Sequence, residues 1–264
     1  MPDQRHRDKV VLITGGGSGI GRATALRFAH EGASAVYVVD HFADRAESAA
    51  AELRGIGVRS AGIVAELADL EGCRRAVDDV LDDAGHLDVA VSNAAAWTEE
   101  PFLEMDDEAW CRVIAVNLTA YFRVSQRAAK AMVESGRGGV ILFTASVSSL
   151  GASPEFAHYS AAKAGAANLA QTMAIELAGH GIRVNAVSPG PADTQQSVDL
   201  VGEELMEKWR RDGFPVVPLK RLASAEDVAA AFSYLASQDA AYITGVNLVV
   251  DGGLTAHAYS VPES

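Results

Sequence analysis

The chain is short of three things: cysteine, unbroken apolar length and positive charge. Cys73 and Cys111 are its two cysteines, too few for a disulfide framework and without metal-ligand spacing. Both fall in segments of helical pattern and read as small, reduced, buried residues, so no metal site is expected. No stretch approaches the about 18 consecutive apolar residues of a membrane helix. The run VVLI near the start is too short for a signal peptide. A cytoplasmic protein with no membrane partner is the expectation from these absences. Lys plus Arg number 22 against 35 Asp plus Glu, a formal net charge of -13. That balance argues against nucleic acid or an anionic membrane surface as partner, and serves solubility. Neither linker nor repeat divides the chain, so residues 1–264 are expected to form one domain.

What is present is apolar and regularly spaced. Apolar residues make up 49% of the chain, enough for a substantial core. Short β-branched runs alternate with longer alanine-rich segments of helical period. Strands are predicted at Val10–Thr14, Ala35–Asp40, Ser60–Ala65, Val89–Asn93, Gly139–Ala145, Ile182–Ser188 and Asn247–Gly252. They lack clean apolar-polar alternation, the pattern of a parallel sheet buried on both faces. Helical patterns between them end in or near glycine, as in IGRATALRFAHEG and LEGCRRAVDDVLDDAG. Repeated strand-helix-strand units imply an α/β fold, a doubly wound, seven-stranded parallel sheet. One long interruption, about residues 195–222, reads as one or two short helices forming a substrate-binding insertion.

Two groups of residues carry chemistry. TGGGSGIG (Thr14–Gly21) follows the first strand and opens a helix. Glycines there let the backbone turn tightly and approach a pyrophosphate seated on the helix N-terminus. Asp40 ends the second strand, where a carboxylate accepts hydrogen bonds from ribose hydroxyls and repels a 2′-phosphate. The first cationic residue after the loop begins is Arg22, so NAD is expected over NADP. Further on, Tyr159 precedes Lys163 by four residues in YSAAK, with Ser146 thirteen residues before the tyrosine. On a helix, a spacing of four puts phenol and ammonium on one face. A nearby positive charge favours the phenolate. Bringing its pKa from near 10 to about 7 takes roughly 4 kcal/mol, which an ammonium and a cationic cofactor together can supply in a water-poor cleft. Such a tyrosine exchanges a proton with an alcohol oxygen.

In this order, from about Lys9 to Gly253, the segments resemble the short-chain dehydrogenase/reductase family, in its branch with a Ser-Tyr-Lys-Asn tetrad. The resemblance implies a Rossmann-type fold and makes Asn117, Ser146, Tyr159 and Lys163 the tetrad. Tyr159 is then the general base in alcohol oxidation, and Ser146 holds the substrate oxygen. Lys163 lowers the tyrosine pKa and holds the nicotinamide ribose, while Asn117, in VNLT, anchors a water relaying protons from Lys163. Gly15, Gly19 and Gly21 match the family's TGxxxGxG, carrying Ser18 and Ile20 within it. SNAAA stands where the family has NNAG: Asn93 and Ala94 match, Ser92 and Ala95 depart. SPGPADT resembles the family's PGxxxT, which puts the backbone around Ala192 and the Thr194 hydroxyl at the nicotinamide carboxamide, with Pro189 and Gly190 also in the cofactor site. Glu66 stands near the family's adenine-facing aspartate. A homotetramer is implied, with helices around residues 105–133 and 160–179 at one interface.

Substrate clues are sparser. Trp97, Pro154, Glu155, Phe156, Gln195, Gln196, Trp209 and Phe214 are candidates for the pocket wall, by closeness to cofactor or tetrad segments. Glu155 at the mouth can hydrogen-bond a polyol or attract a cation, or be a solvated loop carboxylate. Ser148 and Ser149 compete with Ser146, and His158 and His41 read as structural and surface residues. The tail beyond the last strand offers Tyr259 and Val261 as anchors. The expected activity is NAD-dependent interconversion of a small secondary alcohol and its ketone. The alternatives are a 3-oxoacyl-carrier-protein-type reductase and a non-catalytic NADH sensor; an intact Tyr159 and Lys163 weigh against the sensor.

Overall fold

A computed structural model of the protein describes residues 4–256; Tyr259 and Val261 lie outside them. Seven parallel strands form one sheet in the order β3-β2-β1-β4-β5-β6-β7. Along the chain, β1 (Val10–Thr14), β2 (Ala35–Asp40) and β3 (Gly62–Val64) alternate with α1 (Gly19–His30), α2 (Ala43–Gly55) and α3 (Leu70–Ala84). Then come β4 (Val89–Ser92), α4 (Asp107–Ile114), a π-helical turn (Ala115–Thr119), α5 (Ala120–Ser135) and β5 (Gly139–Thr144). The remainder is α6 (Ala157–Leu177), β6 (Ile182–Pro189), α7 (Gln195–Val201), α8 (Glu203–Asp212), α9 (Ala225–Ala236) and β7 (Asn247–Val250).

Strand side chains alternate between two cores, although the strands themselves are continuously apolar. Val10 and Leu12 join Tyr37, Tyr121, Met132 and Phe143 beneath α3, α5 and α6. Val11 and Ile13 join Phe28, Val38, Leu53 and Phe232 beneath α1, α2 and α9. Helix starts are set by short polar side chains. Asp69 accepts from the Gly72 N–H ahead of α3, and Ser224 and Asp227 bond each other's backbone N–H at the start of α9. Such caps satisfy N–H groups that the helix leaves without partners. Opposite the site, His6 and Glu31 meet Ser233 in a buried clasp that ties the N-terminal segment to α1 and α9.

All seven strands appear where the sequence places them, most of them a residue or so different in length. The third is the exception: Gly62–Val64 replaces Ser60–Ala65. It is an edge strand paired only with β2, and Val64 is exposed, so little burial sustains pairing farther along it. The insertion folds as α7 and α8, and it is thinly anchored. Met206 is its one fully buried helical residue.

Candidate active site

β1 has β2 on one side and β4 on the other, so the connections wind outward in opposite directions and leave a crevice at the strands' C-terminal ends. The chemistry-bearing segments named from the sequence lie at that edge. Gly15 and Gly19 turn the chain out of β1 with φ of 63° and 50°. A Cβ on Gly21 would stand 2.1 Å from the Gly15 carbonyl oxygen, so no larger residue lets α1 start this close to the strand. Ser18 precedes α1 in an extended conformation, and no side chain caps the helix. A glycine cradle that side chains would fill, opening on an uncapped helix start, fits a pyrophosphate.

Asp40 is 8% exposed and bonds the glycine loop through one oxygen and the start of α2 through the other. Oδ2 accepts from Gly17 N–H at 3.1 Å and Oδ1 from Phe42 N–H at 3.1 Å. A carboxylate has about four acceptor positions, so each oxygen retains one for a ribose hydroxyl. Gly17 was not singled out in the sequence, yet a Cβ there would meet Asp40 Oδ2 at 2.7 Å. Glu66 accepts from Ala68 N–H and pairs with the exposed His41 at 3.2 Å.

Asn93 is a brace: its Nδ2 donates to Gly15 O at 3.2 Å, and its Oδ1 accepts from the Thr144 hydroxyl at 3.0 Å. Its backbone N–H and that of Ala94 both donate to the Thr14 hydroxyl. Its side chain therefore positions the loop for a cofactor, with its polar atoms already engaged. Across the crevice, Gly190 packs against Asp251, and Ala192 pairs with Ala223. The Thr194 hydroxyl caps α7 by accepting from Ser197 N–H, while its methyl overhangs Gly19.

The tetrad converges from three elements. Asn117 lies in the π-helical turn, fully buried. Its Nδ2 donates to Val113 O at 2.9 Å and to Ala96 O at 2.5 Å, and its Oδ1 is buried without a hydrogen-bond partner among the described residues. Turns of this kind recur inside helices at functional sites. Ser146 follows β5, and its Oγ accepts from Ser148 N–H at 3.1 Å, which leaves the hydroxyl proton for another acceptor. The competing serines are engaged: Ser148 bonds Ser153, and Ser149 bonds the Ser146 carbonyl and Ser188. Tyr159 and Lys163 share a face of α6, the lysine wholly buried. Lys163 Nζ donates to Thr144 O at 2.7 Å and to Tyr121 Oη at 3.0 Å, and lies 5.5 Å from the Tyr159 ring centroid.

The electrostatics differ from the sequence expectation. Burial pushes the Tyr159 phenol up to about 12, partly offset by the hydrogen bond from Ser146. Burial also brings Lys163 down to about 7. Burial therefore outweighs the acidification expected of the phenol, because desolvation disfavours either charge alone. His158, next to the tyrosine, is a buried brace. Its Nδ1 accepts from Tyr159 N–H at 2.8 Å and its Nε2 meets the Thr98 hydroxyl at 2.9 Å. Burial holds its pKa down.

On the substrate side, Trp97, Phe156 and Tyr159 form a row with ring centroids 6.2 and 6.4 Å apart. Glu155, at φ 67°, shares a hydrogen bond with Glu99 that raises the latter's pKa. Gln195 bonds Asp199 on its own helix. Trp209 and Phe214 pack edge to face at 4.7 Å and, with Lys208 and Lys220, line a separate cleft of ≈ 380 Å³. Gln196 and Pro154 form no side-chain hydrogen bond with the tetrad.

Residues 15–255 match the family model described as enoyl-(acyl carrier protein) reductase. The chain is 37% identical to 3-oxoacyl-[acyl-carrier-protein] reductase FabG of Thermotoga maritima over 95% of its own length and 99% of the reductase's. It is 39% identical to L-rhamnose 1-dehydrogenase (NAD(P)(+)) of Azotobacter vinelandii, covering 94% and 96%. A Beutenbergia cavernae structure with bound NADP at low occupancy superposes at a TM-score of 0.88 with 33% identity, covering 97% and 100%. The chain belongs to the short-chain dehydrogenase/reductase family and has its Rossmann-type fold. Its named relatives include dehydrogenases and reductases acting on CH–OH groups, and the L-rhamnose 1-dehydrogenases among them use NAD(P)(+). Among its described residues, no helix is long and apolar enough to cross a membrane. Two partners of Lys163 were not singled out in the sequence: Thr144, through its carbonyl, and Tyr121, four residues after Asn117, the spacing at which helical residues share a face.

Proposed function

We propose that the protein is an NAD-dependent dehydrogenase interconverting a secondary alcohol and its ketone, with Tyr159 as general acid/base. The observation that carries this is the meeting of Ser146, Tyr159 and Lys163 beside a glycine cradle guarded by Asp40. A nicotinamide dinucleotide, when bound, supplies the hydride acceptor or donor. The Ser146 hydroxyl, oriented by Ser148 N–H, holds the alcohol oxygen against the phenol. Tyr159 takes the alcohol proton in oxidation and returns it in reduction. Its pKa must fall from about 12 for that work. Positive charge from Lys163 and an oxidised nicotinamide lowers it, an effect strongest in this buried setting.

Asp40 supports NAD, because a 2′-phosphate beside it would set like charges together. The wall of Trp97 and Phe156 supports a substrate with an apolar portion near the carbinol carbon. A homotetramer is supported by apolar side chains exposed on the helices named from the sequence, notably Phe122 on α5 and Ile175 on α6, the latter 82% exposed. A cytoplasmic setting goes with this reading.

The test is a panel of sugars, cyclic alcohols, acyclic diols and 3-oxoacyl thioesters with NAD and NADP, read by reduced-cofactor absorbance. Turnover of an alcohol with NAD is expected. The likeness to the Thermotoga reductase favours a second reading, a thioester ketoreductase, and preferential turnover of those substrates with NADPH would establish it instead.

A further inference from the structure

Lys163 is a buried cation without a carboxylate, and the contacts that replace one are unusual. The titratable groups facing it among the described residues are two phenols: Tyr121 from α5, with ring centroid 4.9 Å away, and Tyr159 on its own helix, at 5.5 Å. From β5 the Thr144 carbonyl reaches it. An ammonium has three N–H donors. One goes to Thr144 O and one to Tyr121 Oη, which leaves a single donor for the crevice.

Tyr121 is equally constrained. Its ring is 1% exposed and packs against Phe143 at 5.3 Å. Its hydroxyl accepts from Lys163, so its one proton goes to a carbonyl, Ala94 O at 3.1 Å or Thr144 O at 3.3 Å. A carbonyl cannot pass a proton onward. The phenol therefore terminates the hydrogen-bond chain behind Lys163 instead of extending it.

We infer that Tyr121 is a positioning residue: its hydroxyl, fixed between Lys163 and the Ala94 and Thr144 carbonyls, anchors the ammonium and aims its remaining N–H at the tyrosine and cofactor side of the crevice. One hydroxyl thus links the β4 loop, the end of β5 and helix α6, the segments whose relative placement the proposed reaction needs. The catalytic consequence rests on the alcohol dehydrogenase reading, whereas the anchoring itself does not.

The experiment is a titration of the lysine Cε carbons by NMR in the cofactor-bound protein. The chain has few lysines (Lys9, Lys130, Lys163, Lys208 and Lys220), and loss of a signal in Lys163→Met assigns the one of interest. Tyr121→Phe keeps the ring against Phe143 and removes the acceptor, so the Lys163 midpoint is expected to fall by about one pH unit, the worth of a hydrogen bond to a charged group. Tyr121→Gln, which retains an acceptor, is expected to restore it, and Tyr121→Leu repeats the loss if the Phe variant does not fold. If alcohol turnover is also present, Tyr121→Phe lowers kcat at pH 7 about tenfold and moves the acid limb of oxidation to higher pH, with the alcohol KM little changed. An unmoved Lys163 midpoint in a folded Phe or Leu variant overturns the inference. A shifted midpoint in a protein that turns over no alcohol upholds the anchor and removes the proposed reaction.

Discussion

The nucleotide half of the crevice and its substrate half are built to different standards. Around the glycine loop, Thr14, Asn93, Thr144 and Asp40 tie the ends of four strands together, and α1 buries six of its residues. Across the crevice, α7 buries none and α8 buries Met206, while Leu103 in the loop after β4 is 96% exposed. Under the proposed function, the shared chemistry would be held in the core and selection among substrates left to weakly anchored surface segments. Changes on the nucleotide side should therefore affect folding and cofactor together, and changes on the substrate side should affect KM alone.

The largest expected effect tests the hinge between the halves. Tyr159→Phe should reduce kcat by about a thousandfold, the scale of acid-base catalysis, with the dissociation constant for NAD nearly unchanged. Near-normal turnover would remove Tyr159 as the proton-transfer group. On the nucleotide side, Gly21→Ala places a methyl where the Gly15 carbonyl stands, and a destabilisation of about 3 kcal/mol is expected. Thermal melts and NAD binding should worsen together; loss of one without the other would separate the fold from the cradle.

Asp40→Ala should shift the ratio of kcat/KM for NADP over NAD upward by about a hundredfold, from lost ribose bonds and relieved repulsion. An unchanged ratio would place nucleotide choice elsewhere. For Lys163, burial depresses the pKa to about 7 from an unfolded value of 10.5. Between those values the unfolded chain holds more protons, so this group's contribution makes the fold more stable as pH rises from 7 to 10. Lys163→Met should accordingly melt higher than the parent at pH 6, by a margin that shrinks toward pH 10. A constant margin would mean that the lysine titrates normally. The smallest effect belongs to the substrate side. Trp209→Ala should move the melting temperature little, and any kinetic change should fall on the alcohol KM. A large loss of kcat would place α8 closer to the chemistry than its packing does.

Legibility in the sequence followed the same division. The glycine loop, Asp40 and the YSAAK pair could be read because each rests on a local backbone requirement or a fixed helical spacing. The five inner strands could be read because burial on both faces demands runs of apolar residues. β3 was overdrawn, since an edge strand has one partner and its pattern continues past the pairing. Tyr121 and Gly17 went unread for a related reason: their roles are set by Lys163 and Asp40, 42 and 23 residues distant in the chain.

The order of amino acids alone indicated the α/β class, the glycine loop and the Tyr159–Lys163 spacing, because periodicity, turn chemistry and motif spacing act over a few residues, whereas the choice of Asn117 and Ser146 to complete a tetrad came from the family resemblance. Folding in three dimensions decided the rest: which serine is free, that Asn93 braces a loop, and that burial works against both the phenolate and the ammonium. Those outcomes depend on desolvation and on hydrogen bonds between distant segments, quantities that exist only once the crevice has closed around them.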